Sequence, residues 1–219
     1  MAKSTKLGGI VVYRFFDQPQ LNTSKNSLTS SELIVFKNKD NRWKKCKNVN
    51  REILLNLVRS IGPDFRTKLP SVSINCSQNQ FIDPLISDAL ISLQHQIFPL
   101  YLRVELTTNK SINRQINALV AQAENYRQHG IQISIDGADQ ITNLHVLMPL
   151  LEQTREIKFM IHKDTNPQLI KFWQIVTRKK HLRYIVYNVS TREENNILYN
   201  FTIPFRQGTY YGLGHELSM

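Results

Sequence analysis

Seven polar residues stand at the ends of short apolar runs, or interrupt them. Glu32 opens "ELIVFK", Asn75 sits in "SINCS", Glu105 in "VELTT", Asp136 ends "ISID", Lys158 interrupts "EIKFMI", Asn188 follows "YIVY" and Gln207 stands in "FRQGTYYG". Taken singly, each is an ordinary surface residue. Gathered at one mouth, the three acids and the amide are hard oxygen donors of the kind that suits Mg²⁺ or Mn²⁺. A lysine beside them supplies positive charge for a phosphate or an activated water. The chemistry such a set points to is that of a phosphodiester.

The elements that must position these residues are legible as a switching periodicity. Strand-like runs are "GIVVYRFF", "SELIVFK", "PSVSINC", "LYLRVEL", "IQISID", "EIKFMI" and "LRYIVY", most of them rich in β-branched and aromatic residues. Helical stretches lie between them. Asp83 and Pro84 form a cap and first turn ahead of the stripe Leu85, Ile86, Ala89, Leu90, Leu93 and Ile97. Ile112, Ile116, Leu119, Val120, Ala123 and Tyr126 make a second stripe, ended by Gly130, and Asn166–Pro167 opens a third helix. Strands alternating with helices predict parallel βα units, as a (β/α) barrel or an open doubly wound sheet. Both put function at the carboxyl ends of the strands. The sequence has neither G-x-G-x-x-G nor G-x-x-x-x-G-K-[ST], the phosphate turns of an open nucleotide-binding sheet, so the barrel is favoured.

The chain's 219 residues, 41% hydrophobic, suit one domain spanning 1–219. No apolar run reaches bilayer length and "MAKSTKLGG" lacks the apolar core of a secretory signal, so a cytoplasmic protein without membrane association is expected. Cys46 and Cys76 have no zinc or disulfide spacing, and the six histidines have no mutual metal spacing. The net charge of +11 raises the prior for an anionic partner. The basic clusters "RWKKCK" and "RKKHLR" are expected in loops or helix ends, as solvated surface. Nucleic-acid binding ranks last among the functional readings, because no aromatic-interleaved basic motif accompanies them.

In their order and spacing these segments resemble the EAL domain, a (β/α) barrel family that hydrolyses the bacterial second messenger cyclic di-GMP. The family's Gln-Pro is similar to Gln18-Pro19, its Glu-Ala-Leu to Glu32-Leu33-Ile34, its Asn-Leu-Ser to Asn75-Cys76-Ser77 and its Glu-Ile-Thr-Glu to "ELTT" from Glu105. Its Asp-Asp-Phe-Gly is similar to "DGAD" from Asp136, its Lys-Ile-Asp to "KFM" from Lys158, its Ala-Glu-Gly-Val-Glu to "YNVST" from Tyr187 and its Gln-Gly-Tyr to "QGTYYG" from Gln207. The resemblance implies an EAL-type (β/α)8 TIM-like barrel, with a shortened segment between the second and third strands, where one helix, Val49 to Ile61, is legible before "GPDFRTKLP".

The resemblance also implies roles. Glu32, Asn75, Glu105 and Asp136 match ligands of the family's first metal, Mg²⁺ or Mn²⁺. Gln18 and Gln207 match substrate-binding positions, and Lys158 a catalytic one. The second metal's acid falls on Gly137, which has no carboxylate, with Asp139 as the candidate substitute. The catalytic glutamate falls on Asn188, which cannot accept a proton as a base. The phosphate-binding arginine falls on Phe36, and the adjacent Lys37 should face away from the mouth. The expectation is a degenerate EAL protein of cyclic di-GMP signalling, with weak or no hydrolysis, acting as a nucleotide receptor or through a protein partner. The alternative is a metal-dependent phosphodiesterase producing pGpG.

Overall fold

A computed structural model of the chain describes residues 2–6, 9–39, 42–62, 71–108, 112–141, 143–212 and 215–216. Strands β2 (Gly9–Asn22), β3 (Ser27–Lys39), β5 (Ser71–Cys76), β6 (Tyr101–Thr107), β7 (Gln132–Asp136), β8 (Glu156–Met160), β9 (Arg183–Tyr187) and β10 (Phe205–Gln207) close into an eight-stranded mixed barrel. β3 and β5 to β10 run parallel in sequence order, and β2 closes the ring antiparallel to both β3 and β10. The expected barrel is present, but its first two strands form a hairpin with no helix between them, which departs from the expected run of parallel βα units. Four residues, Thr23–Asn26, make that turn, with Asn26 in the left-handed region at φ 46°. A connection this short can join only antiparallel strands.

Three short strands lie outside the ring: β1 (Ala2–Lys6) and β11 (His215–Glu216) pair with β2, and β4 (Arg42–Lys45) pairs with β3. β4 corrects the expectation that "RWKKCK" is loop or helix end. Four of its residues extend the sheet antiparallel to β3, with Phe36 opposite Lys45 and Lys37 opposite Lys44.

Helices α1 (Arg51–Arg59), α2 (Gln78–Phe81), α3 (Pro84–Ile97), α4 (Ile116–Gln128), α5 (Leu144–Leu151), α6 (Pro167–Lys179) and α7 (Arg192–Asn200) connect the strands. α3 starts where Asp83 accepts hydrogen bonds from the amides of Leu85 and Ile86, with Pro84 in the first turn. α6 starts likewise at Asn166 and Pro167. α4 begins at Ile116, after a 3₁₀ turn over Ile112–Arg114, so the stripe that includes Ile112 spans two elements. Between β3 and β5, α1 is the one helix among the described residues, shorter at both ends than the expected 49–61 span. Of "GPDFRTKLP", residues 63–70 lie outside those described. No helix among the described residues is long and apolar enough to cross a membrane.

The apolar side chains of the strands face outward under the helices. Leu102, Val104, Leu106, Ile133, Ile135, Ile157, Phe159 and Val186 are fully buried there with Leu90, Tyr126, Leu150 and Trp173. The alternate residues face into the barrel, and many are polar: Gln20, Ser30, Ser73, Arg103, Glu105, Ser134, Glu156, Lys158 and Gln207 are all buried. This explains why the parallel strands read as alternating rather than continuously apolar. Barrels of this architecture are ordinarily filled by branched aliphatic side chains, so here the interior has to be stabilised by hydrogen bonds and ion pairs.

Candidate active site

The strand registers bring the predicted residues to the carboxyl end of the barrel. Gln18 of β2 lies opposite Glu32 of β3, Asn75 is level with Glu105, and Asp136 is level with Lys158. These pairings converge on one cluster with Lys158 at its centre. The Lys158 Nζ donates to Glu32 Oε2 and to Glu105 Oε2, each at 2.6 Å, and lies 5.0 Å from the centre of the Tyr187 ring. Amide groups supply the remaining donors. Asn75 Nδ2 donates to Glu32 Oε1 at 2.6 Å, Gln207 Nε2 to Glu32 Oε2 at 2.7 Å, and Gln20 Nε2 to Glu105 Oε1 at 3.1 Å.

One ammonium between two carboxylates sets their protonation apart. Burial opposes ionisation of Glu32, but the charge and hydrogen bond of Lys158 and the Gln207 amide outweigh it and hold the carboxyl down at about 2. Glu105 has no solvent exposure and faces the Glu32 charge, so burial and that charge push it up to about 7 against the pull of Lys158. Lys158 itself is fully buried, yet Glu105, Glu32 and Asp136 together keep it charged far into alkaline solution. Burial raises Asp136, with Lys158 pulling the other way.

A cavity of about 580 Å³ opens above this cluster. Gln18, Glu32, Asn75, Asp136, Lys158 and Tyr187 contribute to its wall, together with Lys45, Cys46 and Lys47. A second cavity of about 320 Å³ adjoins it and is lined by Phe16, Phe36, Lys45, Asn188 and Gly208 among others. Glu105 and Gln207 line neither; they stand beneath, holding Lys158 and Glu32 in place. Gln207 also donates to Gln18 Oε1 at 3.0 Å, so the two predicted binding residues touch each other, and Gln18 is the one that faces the cavity.

The three departures take structural form. Gly137 lies just past β7 with φ 86°, in the left-handed region, and a Cβ there would sit 3.1 Å from Thr108 Oγ1. Thr108 Oγ1 donates to the carbonyl of Asp136 at 2.7 Å, which pins this turn from β6. Asp139 follows in a 3₁₀ turn and accepts from the Met160 amide at 3.1 Å, so it secures the end of β8. Asn188 has φ 70° and its Nδ2 donates to the Ile161 carbonyl at 3.0 Å. Phe36 stacks at 4.4 Å between ring centres on Phe16.

Among the described residues, no three His, Cys, Asp or Glu side chains gather closely enough to hold a metal ion. The position between Glu32 and Glu105 is held by the Lys158 ammonium. Asp136 Oδ1 is buried at the cavity wall with no hydrogen-bond partner among the described residues, and Asn75 and Glu32 stand in the same wall. Asp136 Oδ1 is the buried oxygen of this set without a partner among the described residues, since both Glu32 oxygens already accept hydrogen bonds. Gly137 offers no side-chain ligand for a second ion, and one oxygen of Asp139 accepts from the Met160 amide.

Sequence reasoning missed Gln20, Tyr187 and Lys45 as site residues. Gln20 sits mid-strand with no chemical signature, while Lys45 was absorbed into a basic run that reads as solvated surface.

The fold is that of the EAL-domain barrel. The chain is similar to the PaMucR phosphodiesterase in complex with c-di-GMP, at 17% identity and a TM-score of 0.73, over 93% of this chain and 97% of that one. It is similar to the Bacillus subtilis YkuI protein, which has an EAL domain and was solved with substrate c-di-GMP and calcium, at 13% identity and a TM-score of 0.77, over 94% of this chain and 56% of that one. It is also similar to the EAL enzyme Bd1971 in its cAMP- and cyclic-di-GMP-bound form, at 18% identity and a TM-score of 0.70, over 92% of this chain but 62% of that one. No protein-family model matches the sequence, and no curated protein matches it significantly.

Proposed function

We propose that this chain is a degenerate EAL-type protein that binds cyclic di-GMP, with little or no hydrolysis, and acts as a receptor or through a protein partner. The observation that carries the reading is the pair of missing carboxylates: Gly137 has no side chain where the resemblance expects the second metal's acid, and Asn188, whose amide is bonded to the Ile161 carbonyl, stands where it expects the catalytic glutamate. One further feature supports it: Asp139, the candidate substitute, accepts from the Met160 amide through Oδ1. The solved relatives named above were captured with cyclic di-GMP, which makes it the first ligand to test. We assign 1–219 to one EAL-like domain in the cytoplasm of a bacterium. Prolonged incubation with cyclic di-GMP and Mn²⁺ should return the nucleotide intact; stoichiometric pGpG would overturn the reading.

One observation favours the alternative, a metal-dependent phosphodiesterase. Asp136 Oδ1 is a buried oxygen with no hydrogen-bond partner among the described residues, on a residue that lines the cavity with Asn75 and Glu32. A Mg²⁺ or Mn²⁺ ion held by these three would polarise a phosphoryl oxygen or lower the pKa of a bound water. It would compete with Lys158 for Glu32. This reading predicts metal-dependent pGpG release that disappears in Glu32→Ala.

A further inference from the structure

The position at which the resemblance expects an arginine for the ligand phosphate is Phe36, and Lys37 next to it contributes to neither cavity. The missing charge has a source in the paired strand. β4 places Lys45 directly opposite Phe36, and side chains directly opposite in an antiparallel pair project to the same face. Lys45 accordingly lines both cavities, and it shares that position with Gln18, Ile34, Met160 and Tyr187, so the two cavities adjoin along a common wall in one groove region. Lys44, opposite Lys37, lines neither.

Among the described residues Lys45 makes no hydrogen bond or ion pair, while Lys158, another cation in the wall of the larger cavity, is held by two carboxylates, and Lys47 lines the larger cavity but not the smaller one beside Phe36. Lys45 is exposed, but its charge reaches far enough to help keep Glu32 ionised. Beside it the partly buried Phe36 ring, packed on Phe16 and through it on Trp43 at 5.4 Å, presents an aromatic wall to the smaller cavity. A free ammonium next to an aromatic surface fits a phosphate that carries a planar base.

We propose that Lys45 is the phosphate-binding residue of this groove, replacing from β4 the charge absent at Phe36, with a nucleotide base against the Phe36 ring. The proposal rests on the nucleotide-binding reading and deepens it. Its test is calorimetric titration of wild type, Lys45→Ala, Lys45→Arg and Lys44→Ala with cyclic di-GMP and, separately, with GMP. Lys45 is exposed, so equal thermal melting of all four proteins is expected. Lys45→Ala should weaken binding by about tenfold or more, the loss of one charge-assisted contact. Lys45→Arg should retain affinity, and Lys44→Ala should change it by less than about twofold, as for a screened surface charge. Unchanged affinity in Lys45→Ala overturns the proposal while leaving the receptor reading standing. Lys45-dependent binding of GMP without binding of cyclic di-GMP supports Lys45 and overturns the cyclic dinucleotide. Binding of neither ligand by wild type overturns both.

Discussion

Lys158 bridges two buried carboxylates with one ammonium, and the surrounding amides of Asn75, Gln20 and Gln207 complete their hydrogen bonding. Removing the cation leaves Glu32 and Glu105 facing each other with little solvent exposure. Lys158→Met should therefore cost about 3–5 kcal/mol of stability, as for other broken buried pairs, measured by urea denaturation. A loss below about 1 kcal/mol, the scale of an exposed pair, would mean that the ion cluster is hydrated. Gly137 tests the turn beneath the site. Gly137→Asp restores a carboxylate but forces a Cβ into the left-handed region and against Thr108, so about 1–2 kcal/mol of destabilisation is expected. At this scale the sequence was informative wherever a residue carried a charge at a strand end. Glu32, Asn75, Asp136 and Lys158 were each legible and do meet. Gln20 was not, because a mid-strand amide looks the same whether it faces solvent or caps a buried acid.

Among the elements, α3 and α7 mark the two ends of legibility. α3 buries six side chains on one face and announces itself by periodicity. α7 buries only Leu198, a contribution of about 2 kcal/mol, and its polar sequence "REENNILYN" gives no stripe. Its start is instead written in a capping box, in which Thr191 accepts from the Glu194 amide and Glu194 accepts from the Thr191 amide at 3.0 Å. With so little burial, the cap carries a large share of the helix's stability. Thr191→Ala should cost about 1 kcal/mol and increase amide hydrogen exchange across 192–200 before other helices. The hairpin of β2 and β3 and the pairing of β4 were hidden for a different reason. Period-two alternation identifies a strand but not the direction of its neighbour, and the charges of Arg42–Lys45 masked a strand whose partner lies at the outer end of β3.

At the scale of the whole molecule, the barrel interior is layered by charge. Below the Lys158 cluster, Glu156 is fully buried and paired with Arg103 at 3.5 Å and with Arg183, and it accepts from Ser134 at 3.0 Å. Burial opposes its ionisation, but the two arginines prevail and hold it below its ordinary value of 4.5. The stabilisation from this contact is present above that value and is lost as pH falls through it towards the folded-state pKa. Glu105 acts in the opposite sense, since a carboxyl raised to about 7 favours folding in its neutral form and this contribution is lost as pH rises from 4.5 towards 7. Glu32, held at about 2, acts in the same sense as Glu156, so urea midpoints should fall steeply on the acid side of 4.5, and Glu156→Gln should make that limb shallower without abolishing it; an unchanged limb would leave Glu156 without a part in acid sensitivity. The overall barrel was legible because outward apolar faces and helix caps repeat along the chain. Its polar filling was legible only as alternation, whose meaning depends on which face turns inward.

The groove above Lys158 is proposed to take up cyclic di-GMP and to leave it intact. Calorimetric titration of cyclic di-GMP into the protein with Mn²⁺ present, followed by chromatography of the cell contents, tests it most directly. A saturable heat with the cyclic nucleotide recovered whole is the predicted result. Absence of binding heat, or recovery of pGpG in place of the ligand, would contradict it.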